Sequence, residues 1–209
     1  MVSRSMVIKI YYENNILKEE IKMTQMSQAI KGNITPEMKK VAEYEGLRVE
    51  EIRKGLAEGT IVIPANKYHK NIEVRGIGEG LSTKVNANFG TSEDYPELDK
   101  ELHKLHTAVE AGADAVMDLS TGGDINKTRQ AIISEAKRPV GTVPIYQALV
   151  EILEKEEPII NLTVDDIFSV IEEQAKDGVD FITVHCGLTR ETIHHMKNEG
   201  RVTEIVSRG

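Results

Sequence analysis

Functional groups of several kinds stand where the predicted strands of this 209-residue chain end. They are an amide, a thioether, a phenol, an imidazole and a guanidinium within a small turn, carried by Asn88, Met117, Tyr146, His185 and Ser207-Arg208-Gly209. In a parallel α/β fold, the ligand meets the carboxyl ends of the strands and the loops that follow them. These groups could hydrogen-bond a heterocycle and hold one phosphate. The pattern therefore favours a site for a small phosphorylated heterocycle.

The same positions lack the groups of other reaction classes, namely a nucleophile with its base or a cluster of metal ligands. His103 and His106 share a helix face but have no third ligand, and the adjacent His194 and His195 point in different directions. Cys186 is the single cysteine, which excludes an internal disulfide and a metal site built from cysteine alone. We therefore predict no catalytic residue and no metal ligand in this chain.

Several of the strand-end side chains also have a structural interpretation. Met117 ends the apolar run 115–117, and methionine fills cores more often than it contacts ligands. His185 could be a structural histidine with satisfied hydrogen bonds. Asp118 and Asp124 either belong to the site or merely cap the helix that follows. The sequence leaves these alternatives open.

Strands and helices alternate through the second part of the chain. Predicted strands at 84–88, 114–118, 139–143, 179–184 and 203–206 are separated by helices at 98–109, 124–136, 146–154, 163–175 and 189–198. Strands that are separated by helices form right-handed crossovers and a parallel sheet. We predict the α/β class, as an incomplete (β/α)8 TIM-type barrel with about five parallel strands. Its two sheet edges would be open, a liability that association could cover.

The region before the barrel is predicted to be a small α-rich lead-in. Thr35, Pro36 and Glu37 are typical of a helix start, Gly46 ends that helix, and a short helix and strand follow at 49–56 and 60–64. The glycine-rich stretch 76–80 is predicted to be a flexible turn, because its spacing does not fit a dinucleotide-binding loop. The predicted division is an N-terminal extension at 1–22, which could be non-native or disordered, the lead-in at 23–80, and the partial barrel with the nucleotide site at 81–209.

Composition excludes several classes of protein. Hydrophobic residues make up 40% and charged residues 29%, as in globular proteins. The formal charge of −8 argues against a nucleic-acid partner, because proteins that bind nucleic acid usually carry a basic face. No segment approaches the roughly 18 apolar residues of a membrane span, and the start resembles no secretion signal. We expect a cytoplasmic protein with neither a nucleic-acid nor a membrane partner.

Several segments of the chain resemble the phosphomethylpyrimidine synthase family. They are Met-Thr-Gln-Met at 23–26, Ile-Thr-Pro-Glu-Met at 34–38, Ile-Pro-Ala-Asn at 63–66, Lys-Val-Asn-Ala-Asn at 84–88, Val-Met-Asp-Leu-Ser-Thr-Gly at 116–122, Gly-Thr-Val-Pro-Ile-Tyr-Gln-Ala at 141–148 and Ile-Val-Ser-Arg-Gly at 205–209. The resemblance covers essentially everything from Met23 onward. The segments at 117–122 and 141–146 are long and specific.

The resemblance implies a radical S-adenosylmethionine (SAM) enzyme, a carbon–carbon lyase of thiamine biosynthesis. Such an enzyme converts 5-aminoimidazole ribonucleotide into 4-amino-5-hydroxymethyl-2-methylpyrimidine phosphate and releases formate and carbon monoxide. It uses a 4Fe-4S iron–sulfur cluster on a three-cysteine motif, S-adenosylmethionine and zinc. The family's nucleotide-binding positions fall on Asn88, Met117, Tyr146, His185 and the Ser207-Arg208-Gly209 turn. Arg208 and the adjacent backbone N–H groups would then hold the phosphate.

The chain departs from the family in length. Family members continue for roughly as many residues again, and that half carries the cluster cysteines and the zinc-binding histidines. With one cysteine, this chain resembles the N-terminal half only, and we predict that it is inactive by itself. It is either a truncated synthase or one paired with a separate C-terminal chain or a homodimer partner. The paralogous 5-hydroxybenzimidazole synthase, which starts from the same nucleotide, and a non-catalytic nucleotide-binding half-barrel are the alternatives.

Overall fold

The structure, a computed structural model, describes residues 24–199. The described backbone packs as two compact units, one formed by residues 24–64 together with 73–84, the other by 65–72 together with 85–199. The predicted extension at 1–22 and the predicted strand at 203–206 lie outside the described residues. The predicted division of the chain between residues 80 and 81 stays a prediction.

The first unit is a helical layer with a two-stranded sheet. Its elements are α1 (Gln25–Ile30), α2 (Pro36–Glu45), α3 (Val49–Glu58), β1 (Ile61–Val62) and β2 (Ile77–Gly78). The Thr35 hydroxyl accepts a hydrogen bond from the Met38 N–H at 3.2 Å, and Pro36 occupies the first helical position. Gly46 closes the helix with a φ of 67°, a left-handed conformation that glycine adopts without strain. The predicted start and end of this helix are confirmed.

The glycine-rich stretch 76–80 is more than a turn. Ile77 and Gly78 pair in antiparallel fashion with Val62 and Ile61, which makes a two-stranded sheet within the first unit. A Cβ atom on Gly78 would lie 2.1 Å from the Thr60 carbonyl oxygen, so only glycine allows the strands to approach this closely. The predicted turn is therefore confirmed only at residues 79 and 80, because Ile77 and Gly78 pair with β1 instead.

The second unit is a parallel sheet with helices between its strands. In chain order it contains β3 (Asn86–Phe89), α4 (Leu98–Glu110), β4 (Ala115–Asp118), α5 (Ile125–Glu135), β5 (Val140–Thr142), α6 (Pro144–Glu154), a 3₁₀ turn (Ile159–Asn161), α7 (Val164–Asp177), β6 (Phe181–Ile182) and α8 (Arg190–Glu199). The four strands stand in the order β3-β4-β5-β6, and every neighbouring pair is parallel. The predicted α/β class with a parallel sheet is confirmed.

Several element boundaries differ from the predicted ones; the strands predicted at 60–64 and 84–88, for example, are observed at Ile61–Val62 and Asn86–Phe89. Helix α6 begins at Pro144, two residues before the predicted start at 146, because proline fits the first helical position, where the backbone N–H has no intrahelical acceptor. The strand predicted at 179–184 is reduced to Phe181 and Ile182, since the apolar run continues past the residues that pair with β5.

One face of this sheet packs against the helices. Val116 and Val140 are fully buried on that face, and Ala87 and Phe89 of β3 pack against the same cluster. The helices contribute the remaining members of the cluster, which include Leu105, Ile132, Ile133 and Ala136. We call this the helix side of the sheet. The residues that alternate with these along each strand point to the opposite side, which we call the open face.

A buried ion pair joins segment 65–72 to the rest of the second unit. His69 Nδ1 lies 2.6 Å from Asp180 Oδ2, and His69 Nε2 lies 2.8 Å from the Ala136 carbonyl oxygen. Both ring nitrogens face acceptors, so both donate and the imidazole is charged. Burial alone would lower the pKa of His69, but its hydrogen bonds to Asp180 and Ala136 outweigh that effect and raise the pKa. Asp180 also accepts from the backbone N–H groups of Asn66 and Val140.

The described helices are short for a bilayer. None of the helices among residues 24–199 is both long enough and apolar enough to cross a membrane.

Candidate functional site

Two of the predicted site residues, Asn88 and Met117, lie side by side on the open face. Asn88 of β3 pairs with Met117 of β4, Met117 pairs with Gly141 of β5, and Gly141 pairs with Phe181 of β6. Residues that are paired across neighbouring strands project from the same face of a sheet. These four residues therefore form one continuous row, which we call the site row.

Asn88 offers an exposed amide at one end of the site row. Its Oδ1 accepts a hydrogen bond from Asn86 Nδ2 at 2.6 Å, and both side chains are exposed. Asn86 thus fixes the orientation of the Asn88 amide and directs its Nδ2 away. Within the described part of the chain, that Nδ2 group has no protein acceptor. The pair can donate hydrogen bonds to a polar heterocycle that lies over the sheet.

Met117 lies in the middle of the site row and reaches towards β6. It is 7% exposed, and its Sδ is 3.9 Å from the Thr183 hydroxyl, just past the end of β6. This contact passes over β5, where Gly141 has no side chain to block it. Met117 is therefore a buried side chain whose thioether contacts the Thr183 hydroxyl, and its role in binding stays a prediction.

Tyr146, by contrast, lines a small cavity away from the site row. The cavity has a volume of about 10 Å³, close to that of one water molecule, and polar side chains from β4, β5 and the flanking helices surround it. Its lining includes Asp118, Arg129, Thr142, Tyr146, Gln147 and Gln174. The structure thus brings Tyr146 and Asp118 together, while Asn88 and Met117 meet on the other face.

Asp118 is the buried carboxyl group of this cavity. Burial raises its pKa, although hydrogen bonds from the Ser120 backbone N–H and hydroxyl act against the rise. The interpretation that Asp118 caps the following helix is wrong, because Asp124 does so by accepting from the Lys127 N–H at 2.9 Å. Asp118 instead holds the turn that begins at Ser120.

That turn is joined to the loop after β3. The Ser120 hydroxyl accepts from the Thr91 N–H at 3.1 Å, and the Thr91 hydroxyl donates to the Gly122 carbonyl at 2.6 Å. A Cβ atom on Gly122 would lie 2.2 Å from the carbonyl carbon of Ser92, so the two backbones touch. Since these loops follow Asn88 and Met117 in the chain, the contact holds the carboxyl ends of β3 and β4 in one arrangement.

Sequence reasoning missed the polar network behind the sheet. Arg129 is completely buried, and it donates to Asp177 at 2.9 Å and to Gln147 at 2.6 Å. Gln147 in turn accepts from Gln174, whose carbonyl oxygen accepts from the Thr142 hydroxyl at 2.7 Å. The partners lie up to 48 residues apart in the chain, so local spacing carries no signal of the network. Its one sequence trace is an arginine inside the apolar stripe of α5.

The remaining predicted site residues are His185 and the Ser207-Arg208-Gly209 turn. His185 is exposed in the segment after β6, and Cys186 beside it is exposed as well. Ser207, Arg208 and Gly209 lie outside the described residues. Asn88 and Met117 are thus adjacent, Tyr146 lies on another surface of the same unit, and His185 lies in the loop beyond β6; that these residues form one site stays a prediction.

The described residues do not fit a metal centre. No group of three or more histidine, cysteine or acidic side chains among residues 24–199 is arranged to hold a metal ion. An iron–sulfur cluster needs several thiolates, whereas the complete chain contains one cysteine. Residues 24–199 therefore provide no ligand set for an iron–sulfur cluster or a zinc ion.

Comparison with known proteins agrees with the motifs at the strand ends. Residues 24–209 match the family model that describes the radical SAM ThiC family. The chain belongs to this family. The predicted family resemblance is therefore confirmed.

Curated relatives in the ThiC family are named phosphomethylpyrimidine synthase. The proteins from Thermoanaerobacter sp. (strain X514) and Moorella thermoacetica are 60% and 56% identical to this chain over 187 residues. The protein from Dehalococcoides mccartyi (strain CBDB1) is also 56% identical over 187 residues. In each case the alignment covers 90% of this chain and 43% of the relative. The chain thus spans less than half the length of these ThiC relatives.

Proposed function

We propose that this chain supplies part of the 5-aminoimidazole ribonucleotide site of a phosphomethylpyrimidine synthase, a lyase of thiamine biosynthesis. The observation that carries the proposal is the adjacency of Asn88 and Met117 on the open face of a parallel sheet, in a chain of the ThiC family. The relatives described above bear the synthase name, which favours this reaction over that of the hydroxybenzimidazole paralogue.

In this proposal the parts of the nucleotide meet different residues. The Asn88 amide donates to the aminoimidazole ring or its substituent, while the Met117 thioether contacts the ring face. His185, which follows β6, completes the wall of the site, whereas Tyr146 lines the cavity on the helix side. Ser207, Arg208 and Gly209 hold the phosphate by bidentate charge-assisted hydrogen bonds and backbone N–H groups.

We further propose that the four-stranded sheet is part of a (β/α)8 barrel whose other strands come from further polypeptide. Among the described strands, β3 and β6 each pair with one neighbour, so each presents an unpaired edge. Large apolar side chains in and just after β6 are exposed, among them Ile182 and Val184. A C-terminal chain would cover these groups and extend the sheet. A second copy of this chain is the other candidate partner.

The radical reaction itself requires that further polypeptide. In radical SAM chemistry a [4Fe-4S] cluster and S-adenosylmethionine generate the radical, and this chain has a single, exposed cysteine. We therefore propose that it binds and orients the nucleotide but does not cleave S-adenosylmethionine by itself. Zinc and the cluster belong to the complete enzyme.

Calorimetric titration of the purified chain with 5-aminoimidazole ribonucleotide tests the binding proposal. We expect saturable binding, and Asn88→Ala should weaken it about five- to tenfold, since a hydrogen bond is worth about 1 kcal/mol. Asn161→Ala is the matched control, because Asn161 is an exposed amide in the 3₁₀ turn. No heat of binding at millimolar nucleotide would refute the proposed site.

Formation of 5′-deoxyadenosine tests the proposal that this chain does not cleave S-adenosylmethionine by itself. The reconstituted chain with S-adenosylmethionine and reductant should produce none, and addition of the C-terminal part of a relative should restore the activity. S-adenosylmethionine cleavage by the chain alone would overturn the proposal. Binding of the nucleotide without any restored activity would favour the non-catalytic nucleotide-binding module. The single cysteine, which cannot hold an iron–sulfur cluster, is the observation that favours this alternative.

A further inference from the structure

Gly141 is the one position of the site row without a side chain, and Phe181 occupies the space above it. A Cβ atom built on Gly141 would lie 2.3 Å from Phe181 Cε2 and 2.4 Å from Cζ. Carbon atoms do not approach this closely without a clash, so the ring sits where a side chain at 141 would stand. The absence of that side chain leaves the space that the Phe181 ring occupies.

Met117 approaches the same place from the other side. It pairs with Gly141, as Phe181 does, and its Sδ reaches Thr183 on the far side of β5. A thioether and a phenyl ring therefore flank the bare backbone of Gly141. Phe181 is half-buried.

The surface so formed has a definite chemistry. Its middle is apolar, polarizable and without formal charge, while hydrogen-bonding groups border it, the Asn86 and Asn88 amides on one side and the Thr183 hydroxyl on the other. Aromatic rings stack with planar heterocycles in offset or edge-to-face geometry, and thioethers also favour aromatic partners. A phosphate or a bare sugar would gain nothing from such a surface, whereas a planar base would.

We propose that Phe181, seated over Gly141, is the stacking surface that selects the aromatic base of the ligand on the open face. The inference rests on the proposed nucleotide site and adds a specificity-determining pair to it. Gly141 sets the space and Phe181 supplies the ring, so the ligand class is a planar nitrogen heterocycle joined to a phosphorylated sugar. Affinity for the base and affinity for the sugar phosphate then depend on different residues.

Calorimetric titrations of Phe181→Leu with two ligands test this assignment. The ligands are 5-aminoimidazole ribonucleotide and ribose 5-phosphate, which lacks the base. Loss of base–aromatic stacking should weaken nucleotide affinity about 5- to 30-fold and leave ribose 5-phosphate affinity within about twofold. Phe168→Leu is the matched control, because Phe168 is 64% exposed on α7, and it should alter neither affinity.

Gly141→Ala provides a second, independent test. Its added methyl group must displace the Phe181 ring, so this variant should lose nucleotide affinity selectively as well. Retained binding of ribose 5-phosphate shows in each variant that the site is folded. An equal loss of affinity for both ligands, or an unchanged nucleotide affinity in Phe181→Leu, would overturn the stacking assignment. Either result would leave the proposed nucleotide site of the wild-type chain unaffected. Failure of the wild-type chain to bind the nucleotide would instead remove the proposed function, and the assignment with it.

Discussion

Polar groups on the two faces of the parallel sheet differ in burial and in hydrogen bonding. On the helix side, Arg129 is completely buried and its guanidinium is bonded to Asp177 and Gln147. On the open face, the Asn88 amide is exposed and bonded to its neighbour Asn86 alone among the described residues. Buried groups whose hydrogen bonds are satisfied internally serve stability, and exposed groups with spare donors are the ones that can meet a ligand. The comparison shows that the buried network on the helix side stabilises the fold, and it supports the proposal that the open face binds the ligand.

Removal of Arg129 should produce the largest effect on stability. Arg129→Met leaves the Asp177 carboxylate without its guanidinium partner, which should lower the free energy of unfolding by about 3–5 kcal/mol. Urea denaturation measures the change. Lys176→Met removes an exposed ion pair with Glu172 on the same helix and should cost at most about 1 kcal/mol. Equal effects of the two substitutions would show that the buried network on the helix side contributes no more to stability than an exposed ion pair.

A side chain at Gly122 should separate the loops that follow β3 and β4. Gly122→Ala places a methyl group against the backbone of Ser92 and Glu93, which should cost about 1–3 kcal/mol and separate the two loops. Because the loops follow Asn88 and Met117, nucleotide affinity should fall together with stability. Gly187→Ala is the control, since no atom lies within 4 Å of its added Cβ. A loss of stability without any change in nucleotide affinity would show that the contact between these two loops does not position the site.

The buried His69–Asp180 pair predicts a pH-dependent stability. The raised pKa of His69 means that its contribution is fully present below the unfolded-state pKa, about 6.5, and is lost as pH rises through the folded pKa. Thermal melts from pH 6 to pH 9 should show this decline. Asp180→Asn should reduce stability at pH 6 by about 1.5–3 kcal/mol and flatten the profile.

The exposed pair of His106 with Glu135 supplies the control for that experiment. Glu135→Gln should leave the pH profile of the wild type in place, because an exposed pair contributes little. A profile that stays steep in Asp180→Asn would locate the titrating group elsewhere.

Glu101 should give the smallest effect. It is 1% exposed on α4, and its Oε2 has no hydrogen-bond partner in the described part of the chain, whereas Oε1 meets Lys104. Replacement of a poorly satisfied buried charge by an apolar side chain is often neutral or stabilising. Glu101→Met should therefore change the free energy of unfolding by less than about 1 kcal/mol or raise it. A large loss in urea denaturation would reveal a structural role for this carboxylate.

Local patterns were enough for most of the fold. Thr35, Pro36 and Gly46 mark the ends of α2 because capping hydrogen bonds and backbone preferences act within a few residues. The alternation of strands and helices predicted the parallel sheet, since crossovers of this kind admit few topologies. The strand at 77–78 was missed because its partner, β1, lies fifteen or more residues away in the chain.

The site was predictable in its residue types and less so in its arrangement. Strand ends were found from the apolar runs, which placed Asn88 and Met117 correctly at the carboxyl edge of the sheet. Tyr146 was expected beside them, but its side chain lines the cavity at Asp118, because the first turn of α6 starts at Pro144. Phe181 and Gly141 were not singled out, since a glycine becomes informative only when the neighbouring ring is known.

The sequence by itself determined the family, the order of strands and helices, and the kinds of side chain at the strand ends. These properties depend on the types and short-range spacing of residues. The tertiary structure alone decided which side chains share a face, that Arg129 and His69 are satisfied by distant partners, and that Phe181 covers Gly141. Those outcomes depend on strand register and long-range packing, and a shift of register by one residue would send every side chain of a strand to the other face.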